Sequence, residues 1–282
     1  MAPRLNAAGR MDHASTAVEL LTAEDDQKAR EIAHSLNGLN RDRRNIENKI
    51  LYQILDHLGK NPDLLRKNTL VLSDRNWPLG ILGIVAAKVM KQFYRPVVLV
   101  TTADGIGKGS ARSIPGINLY KGLSACGDHI ETFGGHSMAA GLKIKDENIE
   151  SFKTRFEHVV SRMAGPFDFI PKITIDYRLD FTDISDRLMD ELDRLKPFGI
   201  GNDEPLFMTE NVQIASSKEV GRHHRQMVLK QKTGKSEKRF NSIQFNVEDN
   251  AFEKKHFDRM AYRLRWNRWN GKKSAQIVIE ET

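Results

Sequence analysis

Two glycine-bearing segments hold the groups best able to do chemistry. They are Gly107-Lys108-Gly109-Ser110-Ala111-Arg112-Ser113 and Gly134-Gly135-His136-Ser137-Met138-Ala139-Ala140-Gly141. Glycine lets backbone come close to a ligand. Lys108, Ser110, Arg112 and Ser113 can donate to phosphate oxygens, and His136 can donate or move a proton near neutral pH. This set suits a phosphodiester better than a sugar, a lipid or a metal. In an extended segment alternate residues share a face, which puts Ser110 beside Arg112 as a phosphate clamp. The spacing is neither that of a Walker loop nor that of the dinucleotide fingerprint. The plainer alternatives are a glycine-rich turn with incidental charge and a structural histidine in a Gly-Gly loop.

Other segments carry weaker signals. In Pro3-Arg4-Leu5-Asn6-Ala7-Ala8-Gly9-Arg10, the side chains of Arg4, Asn6 and Arg10 could reach a phosphate or a domain interface. Arg222-His223-His224-Arg225 lies near the start of a strand, and Arg263, Arg265, Trp266, Arg268 and Trp269 cluster tightly. Single-strand binders join a positive groove to aromatic platforms for bases. The alternative is a solvated basic face with core tryptophans. Adjacent histidines can suggest a metal, but nothing spaced to complete a site accompanies them. Metal-assisted phosphodiester hydrolysis needs clustered Asp and His. No Asp-x-Asp-Gly or Asp-His-His is present, so no metal is expected on this chain.

Composition bounds the rest. The 282 residues, 39% hydrophobic and 29% charged, suit two or three soluble globular domains. No apolar run approaches a membrane span, and the N-terminus lacks a signal-peptide core, so a cytoplasmic protein without membrane contact is expected. One cysteine, Cys126, rules out an internal disulfide and reads as a small buried residue. The net charge of +7 permits a polyanionic partner. Positive charge is concentrated in Lys218 to Phe240, with eight Lys/Arg against two acids, and in Lys254 to Lys273, with eight against one.

The elements that must position these groups follow from periodicity. Residues 1–13 read as an extended loop, with Pro3 and Gly9 as breakers, and Ser15 to Leu21 as a short helical turn. Thr22 reads as the N-cap of a long helix. Its apolar positions Ile32, Leu36, Leu39, Ile46, Ile50, Ile54 and Leu58 recur at helical steps before Gly59 and Pro62 end it. A polar helix this long is expected to join domains rather than fill one core. Strands are expected at Thr69 to Ser73, Pro96 to Thr101 and Met138 to Ile144, with Gly107 to Ser113 a third short strand or a turn. Helices are expected at Gly80 to Phe93, Asn118 to Thr132 and Asp146 to Met163. That mixture makes an α/β domain. Beyond Gly165-Pro166, alternation at Ile173 to Tyr177, Val212 to Ala215, Gln226 to Lys230, Phe240 to Phe245, Met260 to Trp266 and Ala275 to Ile279, interrupted by a helix over Ile184 to Leu195, suits a small OB-type barrel.

Five pieces in order carry a resemblance: Pro3 to Arg10, Gly80-Ile81-Leu82-Gly83-Ile84-Val85-Ala86, Gly107 to Pro115, Phe133 to Leu142, and Leu195-Lys196-Pro197-Phe198-Gly199-Ile200-Gly201-Asn202. Together they resemble the RecJ family of single-strand-specific exonucleases in the DHH phosphoesterase superfamily. The resemblance implies the end of a DHH catalytic domain and a long connecting helix over 1–60. It implies a DHH-associated α/β domain over 61–165 and a C-terminal OB-fold barrel over 166–282. It implies that Ser110 and Arg112 hold a 5′ phosphate with Arg10 near it, and that Lys108 stands beside the cleft. Gly134, Gly135 and His136 would face the scissile region, His136 in a supporting catalytic role. With Arg222, Arg225, Arg265, Trp266 and Trp269, these are the expected DNA-binding residues.

Mn²⁺ or Mg²⁺ is implied for the intact enzyme, held upstream of this sequence. Single-stranded DNA is the implied partner, joined by a separately encoded DHH half and a single-strand binding protein. The sequence departs from the family in starting at the last catalytic-domain motif, and in Pro78 after Trp77, where the family often has histidine. The expected function is therefore the substrate-binding portion of a 5′→3′ single-stranded-DNA exonuclease, inactive alone. The alternative is a non-catalytic single-strand binding or scaffold protein. A relative acting on short oligonucleotides or cyclic dinucleotides fits less well, since small substrates need no basic track.

Overall fold

The computed structural model describes residues 1–165, 168–221, 223–247 and 252–282. The chain divides into two compact units, Met1–Pro171 and Lys172–Thr282. Residues 1–60 thus belong with the α/β sheet and form no separate body.

In the first unit a mixed sheet has the order β1 (Leu70–Ser73), β2 (Val97–Ala103), β3 (Ile106–Arg112), β5 (Ala139–Lys145), β4 (Thr132–Gly135). Only β1 and β2 run parallel. Alternation along the strands feeds two cores. Leu70, Leu72, Val97 and Leu99 pack with Ile81, Leu82, Val85 and Val89 of helix α4 (Leu79–Phe93) and with Ile50, Ile54 and Leu58 of α3 (Asp26–Lys60). Val98, Val100, Ala111 and Ile144 face the other way, onto Leu119 and Leu123 of α5 (Leu119–Ser124) and Phe152, Phe156 and Val160 of α6 (Ile149–Met163).

Four expectations are corrected here. Residues 2–11 form helix α1 (Ala2–Met11), not an extended loop. Pro3 lies in the first turn, where its missing N–H breaks no bond, and Ala7 and Ala8 are buried. Helix α2 (Ser15–Leu21) follows as expected. The long helix starts at Asp26, because Asp25 rather than Thr22 caps it, its Oδ1 accepting the Lys28 N–H at 2.7 Å. Its buried residues make it a core wall rather than a free connector. The segment expected as one helix from Asn118 ends α5 at Ser124, turns at Gly127–His129, and then pairs with β5 as β4. The Gly134-Gly135 pair is therefore strand, and only the turn after it is loop.

The second unit is a closed barrel. Its strands β7 (Phe207–Val220), β8 (His224–Thr233), β9 (Ser236–Gln244), β11 (Lys272–Glu281) and β10 (His256–Trp269) pair in that order, and β10 closes on β7. β9 and β11 are parallel, the other barrel pairs antiparallel. The expected strand at Ile173 to Tyr177 shrinks to β6 (Tyr177–Arg178) beside β7. Helix α7 (Asp186–Arg194), capped by the Ser185 hydroxyl, buries only Met189. Phe181, Phe207, Met227, Leu229, Met260, Tyr262 and Ile277 fill the barrel. No helix among the described residues is long and apolar enough to cross a membrane.

Candidate nucleic-acid interface

The first unit has an open cleft of about 660 Å³ lined by Asn6, Gly9, Arg10, Leu79, Gly80, Gly83, Ser110 and Arg112 among others. The alternation of β3 places Ser110 and Arg112 on one face, and Arg112 Nη1 donates to Ser110 Oγ at 3.2 Å and to the Ala111 carbonyl at 2.7 Å. Arg10 reaches in from the end of α1 and donates to the Gly80 carbonyl at 3.3 Å. Burial pulls the Arg112 pKa below its ordinary value, and the neighbouring Arg10 charge pulls it the same way. None of the lining residues is a carboxylate. The start of α4 also faces the cleft through Leu79 and Gly80, with no acid in its first turn, and helix starts favour anions. Pro78 is the N-cap of that helix.

Gly80 and Gly83 were not singled out for this role, although their spacing near a helix start is visible in the sequence. A β-carbon on Gly80 would lie 2.2 Å from the Arg10 carbonyl oxygen. One on Gly83 would lie 2.7 Å from Arg112 Nη2 and 3.0 Å from Ser110 Oγ. These two glycines let α4 sit against both walls of the cleft.

Beyond Ser110 the same sheet face is bare backbone. Ser110 pairs with Gly141, and Gly141 with Gly134, so all three share a face. A β-carbon on Gly134 would meet nothing within 4 Å, and one on Gly141 only the Gly109 carbonyl at 3.7 Å. Lys108 is exposed on that face beside Lys143, which pairs with Glu131 at 2.8 Å. Gly135 has a different task. Its φ is 145°, and a β-carbon there would lie 2.4 Å from the Ala139 carbonyl oxygen, so it shapes the turn. His136 is exposed in that turn, its backbone N–H donating to the Ala139 carbonyl at 2.8 Å. The structure thus gathers Arg10, Ser110 and Arg112 in one cleft. It leaves Lys108, Gly134 and His136 on the adjoining sheet. Ser113 and Arg4 drop out: Ser113 is buried and donates to the Ile117 carbonyl at 2.8 Å, and Arg4 turns to Asn37 on α3.

In the second unit three of the expected DNA-binding residues, Arg225, Arg265 and Trp266, have partners. Arg225 is buried, donating to Ser217 Oγ at 2.8 Å and to the carbonyls of Phe252 at 3.1 Å and Lys254 at 2.6 Å. It ties barrel segments together, which corrects its reading as a surface DNA contact. Arg222 lies outside the described residues. Arg265 holds Glu204 with two bonds of 2.8 and 2.6 Å, and the Trp266 indole N–H donates to Asp190 at 3.1 Å. Trp269 is 74% exposed. Lys218, Lys230 and Lys232 lie in the basic stretch noted in the sequence without being named as site residues; their side chains make no hydrogen bond or close ion pair among the described residues, although Lys230 and Lys232 act on Glu237 by charge. Lys218 lines an open groove of about 360 Å³ with Ser216, Gln226, Val228 and Asn241 on the outer face of β7–β9.

No three His, Cys, Asp or Glu side chains gather to hold a metal among the described residues. Two arginines and a hydroxyl in the cleft form a donor set for an anion, and it does not fit Mg²⁺ or Mn²⁺.

Comparison with known proteins finds one domain family within each unit. The DHHA1 domain family matches residues 66–162 and the RecJ OB domain family residues 175–281. The single-stranded-DNA-specific exonuclease RecJ of Bacillus subtilis is 31% identical over 288 residues, covering 100% of this chain and 36% of that protein. The Haemophilus influenzae protein of the same name is 32% identical over 290 residues, covering 99% of this chain and 50% of that protein. The crystal structure of Thermus thermophilus RecJ in complex with Mn²⁺ superposes with a TM-score of 0.80 at 27% identity, over 99% of this chain and 40% of that one. The chain thus spans half or less of the length of these relatives.

Proposed function

We propose that this chain, which belongs to the RecJ family and carries its DHHA1 and OB domains, grips and orients a single-stranded DNA end for 5′→3′ exonucleolytic cleavage in the cytoplasm. The supporting observation is the cleft in which Arg10, Arg112, Ser110 and the start of α4 converge with no carboxylate to balance them. A terminal phosphate dianion there accepts charge-assisted bonds from both guanidinium groups and offsets their mutual repulsion. The strand then lies on the glycine face past Gly141 and Gly134, with Lys108 beside its backbone and His136 near the bond to be cut. The barrel's outer face, with Lys218, Lys230 and Lys232, offers by itself a basic surface for single-stranded DNA, which makes binding salt-dependent.

A divalent metal would supply the activated water for hydrolysis. No three metal-ligating side chains gather among the described residues, so in this reading a RecJ DHH half supplies the metal-holding residues and the chain alone binds without cutting. A separate DHH half and a single-strand binding protein are the further proposed partners. The lack of any three gathered metal-ligating side chains among the described residues favours a second reading, a non-catalytic single-strand binder. The deciding test measures binding to one oligonucleotide with a 5′ phosphate and with a 5′ hydroxyl. It then adds a RecJ DHH half and Mn²⁺. Preference for the phosphate that vanishes in Arg112→Ala, with cleavage only after reconstitution, supports the first reading. Binding without end preference and no cleavage in the reconstituted pair supports the second.

A further inference from the structure

The basic and aromatic end of the β10–β11 hairpin is covered by carboxylates. Asp190 and Asp193 of α7 and Glu204 beyond it stand against the group that composition marks as a single-strand platform. Asp190 Oδ1 accepts both the Trp266 indole N–H at 3.1 Å and the Lys273 ammonium at 2.6 Å. Asp193 takes Arg268 at 3.1 Å and Lys196 at 2.5 Å. The Lys273 ammonium sits 3.9 Å from the centre of the Trp266 ring, over one of its faces. Arg265, Arg268 and Lys273 of the hairpin end are thus each met by a carboxylate, and Lys273 fills one face of Trp266, which is partly packed against the barrel core.

The cover is lightly held. Of α7's nine residues only Met189 is buried, with Leu188 and Leu192 partly packed. Its ion pairs to the hairpin are between side chains 31–65% exposed. Pairs of that kind contribute little and weaken with salt. Asp190 and Asp193 lie three apart on the helix, so their side chains are neighbours on one face and present two negative charges side by side.

We propose that α7 is an internal competitor of nucleic acid. Asp190 and Asp193 occupy the phosphate positions of a second single-strand site formed by Trp266, Arg268 and Lys273, and that site opens when a strand displaces them. The partner is single-stranded nucleic acid regardless of its end, bound by two phosphates and one stacked base. This rests on the single-strand reading above but not on the 5′-phosphate cleft, which lies in the other unit.

The test is the affinity of the full chain for a short 5′-hydroxyl oligothymidylate across a salt series. Four forms are compared: wild type, Asp190→Asn with Asp193→Asn, the same pair with Trp266→Ala, and a control, Asp186→Asn with Glu191→Gln. The control removes the same charge from α7 without touching the hairpin. The uncovered pair should bind about tenfold tighter at low salt, with a log–log salt slope steeper by about 1.4 for the two hairpin cations of the site, Arg268 and Lys273. Adding Trp266→Ala should erase most of the gain, and the control should stay within about twofold of wild type. Equal gains in the control and the uncovered pair would overturn the inference, as would a gain that survives Trp266→Ala, or no gain at all. Preference for a 5′ phosphate, measured in parallel on wild type and Arg112→Ala, separates the two failures. If it persists while the uncovered pair gains nothing, only the competitor role of α7 falls.

Discussion

Gly83 faces the Arg112 guanidinium so closely that a β-carbon at 83 would stand 2.7 Å from Nη2. The atom it would strike ends a flexible side chain, so the fold can absorb the change by moving the guanidinium. Gly83→Ala should therefore leave the melting temperature nearly unchanged. It should lower the preference for a 5′ phosphate by about tenfold, the loss of roughly one charge-assisted bond. Gly80→Ala is the contrast, because its β-carbon would lie 2.2 Å from a backbone oxygen of Arg10. It should destabilise the chain by about 1–3 kcal/mol, as overpacking does. Paired thermal melts and end-preference assays separate the two; a large melting loss in Gly83→Ala would mean that the position matters for packing, not grip.

Arg10 and Arg112 lie close together, and Arg112 is half-buried with its pKa pulled down by burial first and Arg10 second. A base whose folded pKa is lowered is harder to keep charged when folded, and a guanidinium stays charged at neutral pH even so. Their repulsion is therefore a standing penalty that a bound anion relieves. Inorganic phosphate should raise the melting temperature of the wild type, by about 2.7 kcal/mol in stability at a hundredfold excess over its dissociation constant. The rise should be absent in Arg112→Ala, and that variant should be no less stable than wild type without anion. A phosphate response unchanged by the substitution would place the anion elsewhere.

What could be read from the chain alone divides by distance along it. Ser110 and Arg112 share a face because strands alternate, a rule that needs only adjacent residues. The order of helix, sheet and barrel was legible for the same reason. Arg225 looked like a surface cation because the carbonyls of Phe252 and Lys254 that bury it arrive 27 and 29 residues later. Arg265 and Trp266 looked free because Glu204 and Asp190 lie 61 and 76 residues earlier. Pro3 and Gly9 pointed to a loop, but burial of Ala7 and Ala8 outweighs local propensity. Gly134 and Gly135, adjacent and alike in sequence, do opposite things because one faces open space and the other its own turn.

Glu47 holds α4 where the cleft needs it. Its carboxylate is buried on α3, bonded to Lys88 of α4 at 2.6 Å and to Arg43 at 3.1 Å, and Arg43 also donates to Asn40 at 3.2 Å. Replacing Glu47 by Ala leaves Arg43, which is 13% exposed, without its carboxylate. A loss of about 1.5–3 kcal/mol is expected for these bonds to a charged group. Because Lys88 and Gly83 are on one helix, phosphate-end preference should weaken as well. Chemical denaturation gives the first quantity and the oligonucleotide pair the second.

Cys126 is buried at the end of the turn after α5, and burial pushes its thiol up to about 11, against a smaller opposing pull from Arg155. The thiolate is the reactive form, so near pH 8 only about one chain in a thousand carries it in the folded state. A disulfide reagent should leave the native protein unmodified at that pH and label it fully once guanidinium unfolds it. The sign of the pH effect follows from the direction of the shift. The unfolded chain loses its thiol proton first, near the ordinary value of 9.0, while the folded chain keeps it until about 11. This group's contribution to stability is therefore complete below about pH 9 and falls as pH rises toward 11. Cys126→Ala should flatten that part of the pH–stability curve. Rapid labelling of native protein near pH 8 would show that the thiol is not enclosed by the α5–α6 core.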